Sequence, residues 1–159
     1  MAVVFFNLGS NMGERERNID RALELLESYG VKVTAKSQVY DTEPWGVKTQ
    51  ANFLNIVASG ETDLGPKALV PLCGEIERQL GRIDSFKWGP RIIDVDLLLY
   101  GDEIVDELNC TVPHYLMHQR RFVLEPLVEI APDVVHPVLS KTATQLLDEC
   151  EDNSRVVGL

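Results

Sequence analysis

Apolar and polar positions along the chain change period several times, and each change marks an element. Residues 2–8 form a run rich in Val and Phe that ends at Gly9 and predicts a strand. The period then lengthens, with Ile19, Leu23 and Leu26 at helical spacing and Ala22 beside them. Asn11 and Glu14 have capping-box spacing, which starts this helix at Asn11, and Gly30 suits the residue after its end. Period two returns at Val31, Val33, Ala35 and Val39 and predicts a second strand over 31–40. Residues 41–50, with Pro44 and Gly46, read as a loop, and 52–62 as a third strand. Pro66 suits a first helical turn; Leu69, Leu72, Cys73, Ile76 and Leu80 follow at helical spacing, and Gly81 can end the helix. Pro71 is expected to kink that helix or delay its start, and Gly74 costs ~1 kcal/mol against Ala. Residues 92–100 are dense in Ile, Val and Leu and predict a fourth strand, closed by Gly101-Asp102. Short helices are expected over 119–130 and 142–149.

The order β-α-β-β-α-β is that of a ferredoxin-like α+β fold, with helices on one face of an antiparallel sheet. The chain after the fourth strand then has to cover the other face or extend the sheet. A length of 159 residues fits one domain, 1–159.

Composition narrows the function classes. With 45% apolar and 25% charged residues the chain reads as globular, and a net charge of −10 argues against nonspecific binding to nucleic acid or an anionic membrane. The three cysteines, Cys73, Cys110 and Cys150, are far apart and form no Cys-x-x-Cys pair, as expected for reduced thiols in the cytoplasm. The N-terminal residues lack a secretion signal, and no apolar run approaches the ~18–20 residues of a membrane span.

Asp94 and Asp96 interrupt the apolar run of the fourth strand. Residues two apart on a strand share a face, so the two carboxylates point the same way with Cα atoms ~6.5–7 Å apart. Val95, Leu97 and Leu99 are expected on the opposite face. Paired acids on a buried strand repel and lose hydration, and a cation between them removes that cost. Hard oxygen ligands suit Mg²⁺, which takes one or two carboxylates together with substrate phosphates. An edge strand with two solvated acids accounts for the pair equally well. Basic residues change that balance. Trp88-Gly89-Pro90-Arg91 stands just before the strand, Arg82 and Lys87 lead into it, and His114, Arg120 and Arg121 follow it. Arginine forks match phosphate oxygens, so the combination points to a metal-nucleotide site. No Walker-type loop or kinase signature set is present, and Gly9 to Gly13 reads as a tight turn with an N-cap. Trp45, Phe53, Trp88 and Phe122 supply rings for a flat heteroaromatic ligand, although Phe53 and Phe122 taken alone fit core packing better. Asn55 shares the face of Phe53 and offers a donor and an acceptor to a heteroaromatic edge.

Several segments, in order, resemble one family: Gly9-Ser10-Asn11, Thr42-Glu43-Pro44-Trp45-Gly46, Phe53-Leu54-Asn55, Gly81-Arg82, Trp88-Gly89-Pro90-Arg91, Asp94-Val95-Asp96-Leu97 and Val112-Pro113-His114-Tyr115. Over residues 2–137 the chain is similar to the hydroxymethyldihydropterin pyrophosphokinases, with Trp-Gly-Pro-Arg followed by Asp-x-Asp the most specific part. The resemblance implies a monomeric enzyme of folate synthesis that binds ATP and 6-hydroxymethyl-7,8-dihydropterin. It implies that Asp94 and Asp96 hold two Mg²⁺ ions. Arg82, Arg91, His114, Tyr115 and Arg120 become nucleotide or phosphate contacts, with Glu77 and Thr111 further nucleotide-pocket residues. Arg82 and Arg91, with the two aspartates, become the catalytic set. Thr42, Pro44, Trp45, Asn55 and Phe122 become the pterin pocket, with Phe53 as the opposing ring and Trp88 as a lid. Asp84 and Ser85 stand where many members are basic, and Gly74 and Asn109 also depart from the pattern. The residues taken alone also admit an Asp-x-Asp nucleotidyl- or glycosyltransferase, or a ferredoxin-like binding domain.

Overall fold

The first strand, β1 (Ala2–Ser10), sets the layers. Its Val4, Phe6 and Leu8 are buried in one apolar cluster and its Phe5 in another. A strand apolar on both faces needs a covering layer on each. The computed structural model describes residues 1–46, 48–81 and 90–159.

β1 is central in an antiparallel sheet. On one side lies β4 (Phe53–Thr62), with Gly9 opposite Asn55 and Asn7 opposite Val57. On the other lies β5 (Asp94–Tyr100), with Asn7 opposite Asp96 and Gly9 opposite Asp94. β2 (Val31–Lys36) and β3 (Tyr40–Thr42) both pair with the far edge of β4, β2 along 58–62 and β3 along 53–55. A last strand, β10 (Val156–Gly158), pairs with β3 and gives the order β10-β3-β4-β1-β5.

The helices α1 (Arg15–Ser28) and α2 (Pro66–Gln79) bury Ile19, Ala22, Leu26, Leu69 and Ile76 against the Val4, Phe6 and Leu8 face. The opposite face takes α3 (Arg121–Ile130) and α4 (Ala143–Glu149), whose Val123, Leu127 and Ala143 pack with Phe5, Val57, Leu98 and Leu99. Full burial of a Val or Leu side chain contributes ~1.5–3 kcal/mol. The result is a ferredoxin-like α+β fold, and the chain beyond β5 both covers the second face and extends the sheet. Two small hairpins, β6 (Val105–Glu107) with β7 (Cys110–Val112) and β8 (Val135–His136) with β9 (Lys141–Thr142), complete the described residues. No helix among them is long and apolar enough to cross a membrane. All three cysteines are free.

Several sequence expectations change. The first helix starts at Arg15 after Glu14, without a side-chain cap. Asn11 instead spends its side chain on distant backbone: Arg91 N donates to its Oδ1 at 2.8 Å, and its Nδ2 donates to Ala51 O at 3.0 Å. The expected second strand breaks at Ser37, whose Oγ accepts from Val57 N at 3.1 Å in place of a backbone carbonyl. Thr42 therefore ends a strand and does not sit on a loop. α2 runs on through Pro71, which is solvent-exposed in the second turn, and so is Lys67, whose carbonyl Pro71 cannot serve as donor. The fourth strand begins at Asp94, two residues late. A bulge between Phe5 and Phe6 puts Leu99 opposite Phe5, so Leu99 lies on the carboxylate face and not on the face of Val95 and Leu97. A 3₁₀ turn at Met117–Gln119 delays α3 to Arg121. The last helix has the capping box its sequence allows: Gln145 N donates to Thr142 Oγ1 at 3.2 Å, and Thr142 N to Gln145 Oε1 at 2.9 Å.

Candidate active site

The C-terminal end of β1 and the N-terminal ends of β4 and β5 meet at one end of the sheet, and a cavity of about 430 Å³ opens there. Its floor is the face that carries Asn7, Asn55 and Asp96.

At the β3–β4 side, Asn55 is 3% exposed and Thr42 1% exposed. Asn55 Nδ2 donates to Thr42 Oγ1 at 2.6 Å, and Thr42 Oγ1 lies 3.4 Å from Phe53 O. The amide leans over Gly9, where a Cβ would collide with Asn55 Oδ1. Gly9 is therefore required by close approach and not by its backbone angles. Phe53, Trp45 and Phe122 stand half-buried on the cavity wall, at the start of β4, on the loop after β3 and in the first turn of α3. Pro44 is buried next to Trp45 and does not line the wall.

Arg120 joins the two sides. It precedes α3 and is 7% exposed. Its guanidinium carbon lies 4.8 Å from the Trp45 ring centroid and 5.5 Å from that of Phe122. Burial pulls its pKa down, while Asp96, Tyr115 and Asp94 hold it up. Arg121, grouped with Arg120 in the sequence, turns away. Its Nε donates to Asp152 O at 2.8 Å and its Nη1 to Glu125 Oε1 at 2.9 Å, while its backbone N donates to Asp152 Oδ2 at 3.0 Å.

At the β5 side, Asp94 and Asp96 face the cavity, and Arg91 Nε lies 3.6 Å from Asp94 Oδ1. Glu77, buried on α2, accepts from Val95 N at 2.8 Å through Oε2, which satisfies a backbone donor at the open edge of β5. His114 and Tyr115 stack at 5.2 Å between centroids, and Thr111 is exposed at the rim. Leu116 N donates to His114 Nδ1 at 3.1 Å. Neutral His114 therefore carries its proton on Nε2 and presents a donor. Burial, with Arg120 nearby, pushes its pKa down to about 4.

This shift has a measurable sign. Between pH 6.5 and 4 the unfolded chain takes the His114 proton and the folded chain does not. Stability contributed above pH 6.5 is therefore lost as pH falls towards 4, by about 3 kcal/mol at most. Urea unfolding across this range is expected to show a shallower acid decline for His114→Gln than for the parent.

The cavity wall includes residues that the sequence did not single out for it: Asn7, Glu43, Val70, Val95 and Leu97. Asn7 carried one signal, an amide in the middle of an otherwise apolar strand. Cys73, expected only on the apolar side of α2, also lines the wall; burial raises its pKa and keeps it a thiol at neutral pH. Arg82 and Trp88, together with Asp84, Ser85 and Lys87, lie outside the described residues.

The family model described as 7,8-dihydro-6-hydroxymethylpterin-pyrophosphokinase (HPPK) matches residues 5–132. A 2-amino-4-hydroxy-6-hydroxymethyldihydropteridine pyrophosphokinase of Aquifex aeolicus is 41% identical over 149 residues, which cover 94% of this chain and 92% of that one. The protein of the same name from Bacillus subtilis is 40% identical over 144 residues, 90% of this chain and 86% of that one. Among solved structures, Plasmodium falciparum HPPK-DHPS wild type with SDX-DHP has a similar fold, with a TM-score of 0.71 at 18% identity, covering 94% of this chain and 43% of that one. With a family model over most of its length and relatives this similar, the chain belongs to the 7,8-dihydro-6-hydroxymethylpterin-pyrophosphokinases.

Proposed function

We propose a division of labour inside this cavity for the family's reaction. The enzyme transfers pyrophosphate from ATP to the hydroxymethyl group of 6-hydroxymethyl-7,8-dihydropterin, a step of folate biosynthesis, and gives AMP and the pterin diphosphate. The observation that carries the assignment of roles is the sharing of one cavity by the Thr42–Asn55 hydrogen-bonded pair and the Asp94–Asp96 pair.

Thr42 and Asn55 read the polar edge of the pterin, and Phe53 and Phe122 take its faces. Trp45 forms the outer wall with Pro44 packed behind it, and Trp88 serves as the lid residue. Glu77 and Thr111 flank the nucleoside end. His114 donates from Nε2 to a nucleotide oxygen while its neutral ring adds no charge, and Tyr115 stacks on it. Arg82, Arg91 and Arg120 bind phosphate oxygens and offset the charge that grows as AMP leaves.

The donor set of Asp94 and Asp96 fits Mg²⁺: two hard anionic oxygens on one strand face, close to Arg91 and open to a phosphate chain. We read the pair as the ligands of two ions. An ion held by these carboxylates would supply Lewis-acid charge neutralisation to the phosphates that the hydroxyl attacks. The carboxylates fix that position from a rigid strand, and Asp96 accepts the hydroxyl proton. We read residues 1–159 as one domain acting as a monomer, as the family resemblance implies, and the free cysteines suit the cytoplasm.

Phosphorus NMR of the protein with MgATP and 6-hydroxymethyl-7,8-dihydropterin is expected to show AMP, dependent on both pterin and Mg²⁺. ADP as the sole nucleotide product overturns pyrophosphoryl transfer. Gly9→Ala tests the pterin end separately. Its Cβ displaces the Asn55 amide, so pterin affinity by calorimetry is expected to fall at least about tenfold, while that of a nonhydrolysable ATP analogue stays within twofold.

A further inference from the structure

Asn7 lies at the centre of β1, between Phe6 and Leu8, and is 2% exposed. Its Oδ1 is buried and has no hydrogen-bond partner among the described residues. A buried carbonyl left unmatched costs ~1–3 kcal/mol. Nothing in the packing calls for it, since the residue opposite on β4 is Val57 and an apolar side chain would serve the sheet as well.

The residue opposite on the other side is Asp96. Direct cross-strand partners share a face and are close neighbours. The pairing therefore sets the Asn7 amide beside the Asp96 carboxylate on the floor of the cavity. The buried Oδ1 of that amide calls for a donor, which no described residue supplies. Water on a divalent cation is such a donor, made stronger by the ion's charge. Mg²⁺ keeps several of its waters when protein carboxylates bind it. An amide also suits this position because it is neutral. A third carboxylate would repel the triphosphate, whereas an amide dipole orients a water without that penalty.

We propose that Asn7 is a metal-positioning residue, whose Oδ1 accepts a hydrogen bond from a water coordinated to the cation at Asp96. This rests on Asp94 and Asp96 being the metal ligands. Outer partners of this kind are worth 10–100-fold in metal affinity.

The test is a Mn²⁺ titration of the intact chain with α,β-methylene ATP, followed by electron paramagnetic resonance, for the parent, Asn7→Ala, Asn7→Val and Asp96→Asn. Mn²⁺ affinity is expected to fall about tenfold or more in both Asn7 variants. Without metal, the Tm of Asn7→Val is expected to rise, because the unmatched carbonyl is gone. Asn7→Val fills the space that Ala leaves, and so gives the reading if the Ala variant fails to fold. Mn²⁺ affinity within twofold of the parent in the folded Asn7 variants overturns the proposal. So does unchanged Mn²⁺ affinity with weakened pterin binding, which would assign the oxygen to the pterin. Asp96→Asn separates the two claims. Undiminished Mn²⁺ binding there overturns the ligand assignment itself, and the proposal with it. Lost binding there, with parent-like Asn7 variants, overturns the role of Asn7 alone.

Discussion

Asp96→Ala and Asp94→Ala are each expected to lower turnover by about a thousandfold or more while the protein stays folded. Both carboxylates stand on one strand face of the cavity, and neither is built into the apolar core. On the proposed assignment their removal takes away the hard oxygens that fix a cation against the phosphates, and β5 carries no other acidic residue. The stability effects of the two differ in origin. Each variant loses the repulsion between neighbouring carboxylates. Asp94→Ala also loses a 3.6 Å contact with Arg91, which is weak at that length. Asp96→Ala loses the largest charge that supports the buried Arg120 guanidinium, so its gain is smaller. Urea unfolding should therefore rank Asp94→Ala at or above Asp96→Ala. Steady-state activity within tenfold of the parent in either variant would rule out the ligand assignment.

Arg120→Ala is expected to reduce kcat/KM by about a hundredfold or more, with kcat carrying most of the loss. The guanidinium is held between the Trp45 and Phe122 rings, out of bulk water, with Asp94 and Asp96 within its field. A cation fixed in that way acts on a phosphate oxygen without reorganising, and most of its effect falls on the charge that develops in the transition state. Arg120→Lys should recover little, because an ammonium neither stacks between two rings nor offers a planar fork. A Lys variant within threefold of the parent would show that a point charge suffices. A loss confined to KM would show that Arg120 serves binding alone.

What was legible in the sequence depended on how local its cause was. Asp94 and Asp96 could be placed on one face because period two is a property of any strand, and Pro66 and Gly30 marked helix ends through their own backbone limits. Asn11 could not be read, because its partners are Arg91 and Ala51, far along the chain, and they outcompete the local cap. Ser37 breaks a strand by bonding to Val57, which is equally distant. Leu99 was assigned to the wrong face because a bulge leaves no mark in a run of leucines. Arg121 looked like its neighbour until Asp152 came into contact with it. Phe53 and Phe122 taken alone read as core residues more readily than as ligand platforms, and only the fold puts both on the cavity wall.

The contact between Asp152 and the start of α3 has a consequence for synthesis. Asp152 Oδ2 accepts from Arg121 N, and β10 pairs with β3. The walls that carry Phe122 and Thr42 are thus both held by residues 152–159. Ribosomes deliver the chain N-terminus first. β1, β4 and β5 can pair while residues 152–159 are still inside the exit tunnel, but the pterin slot is secured only after those residues emerge. A premature stop codon near residue 150 would therefore silence the enzyme even though every residue assigned to substrate had already been translated.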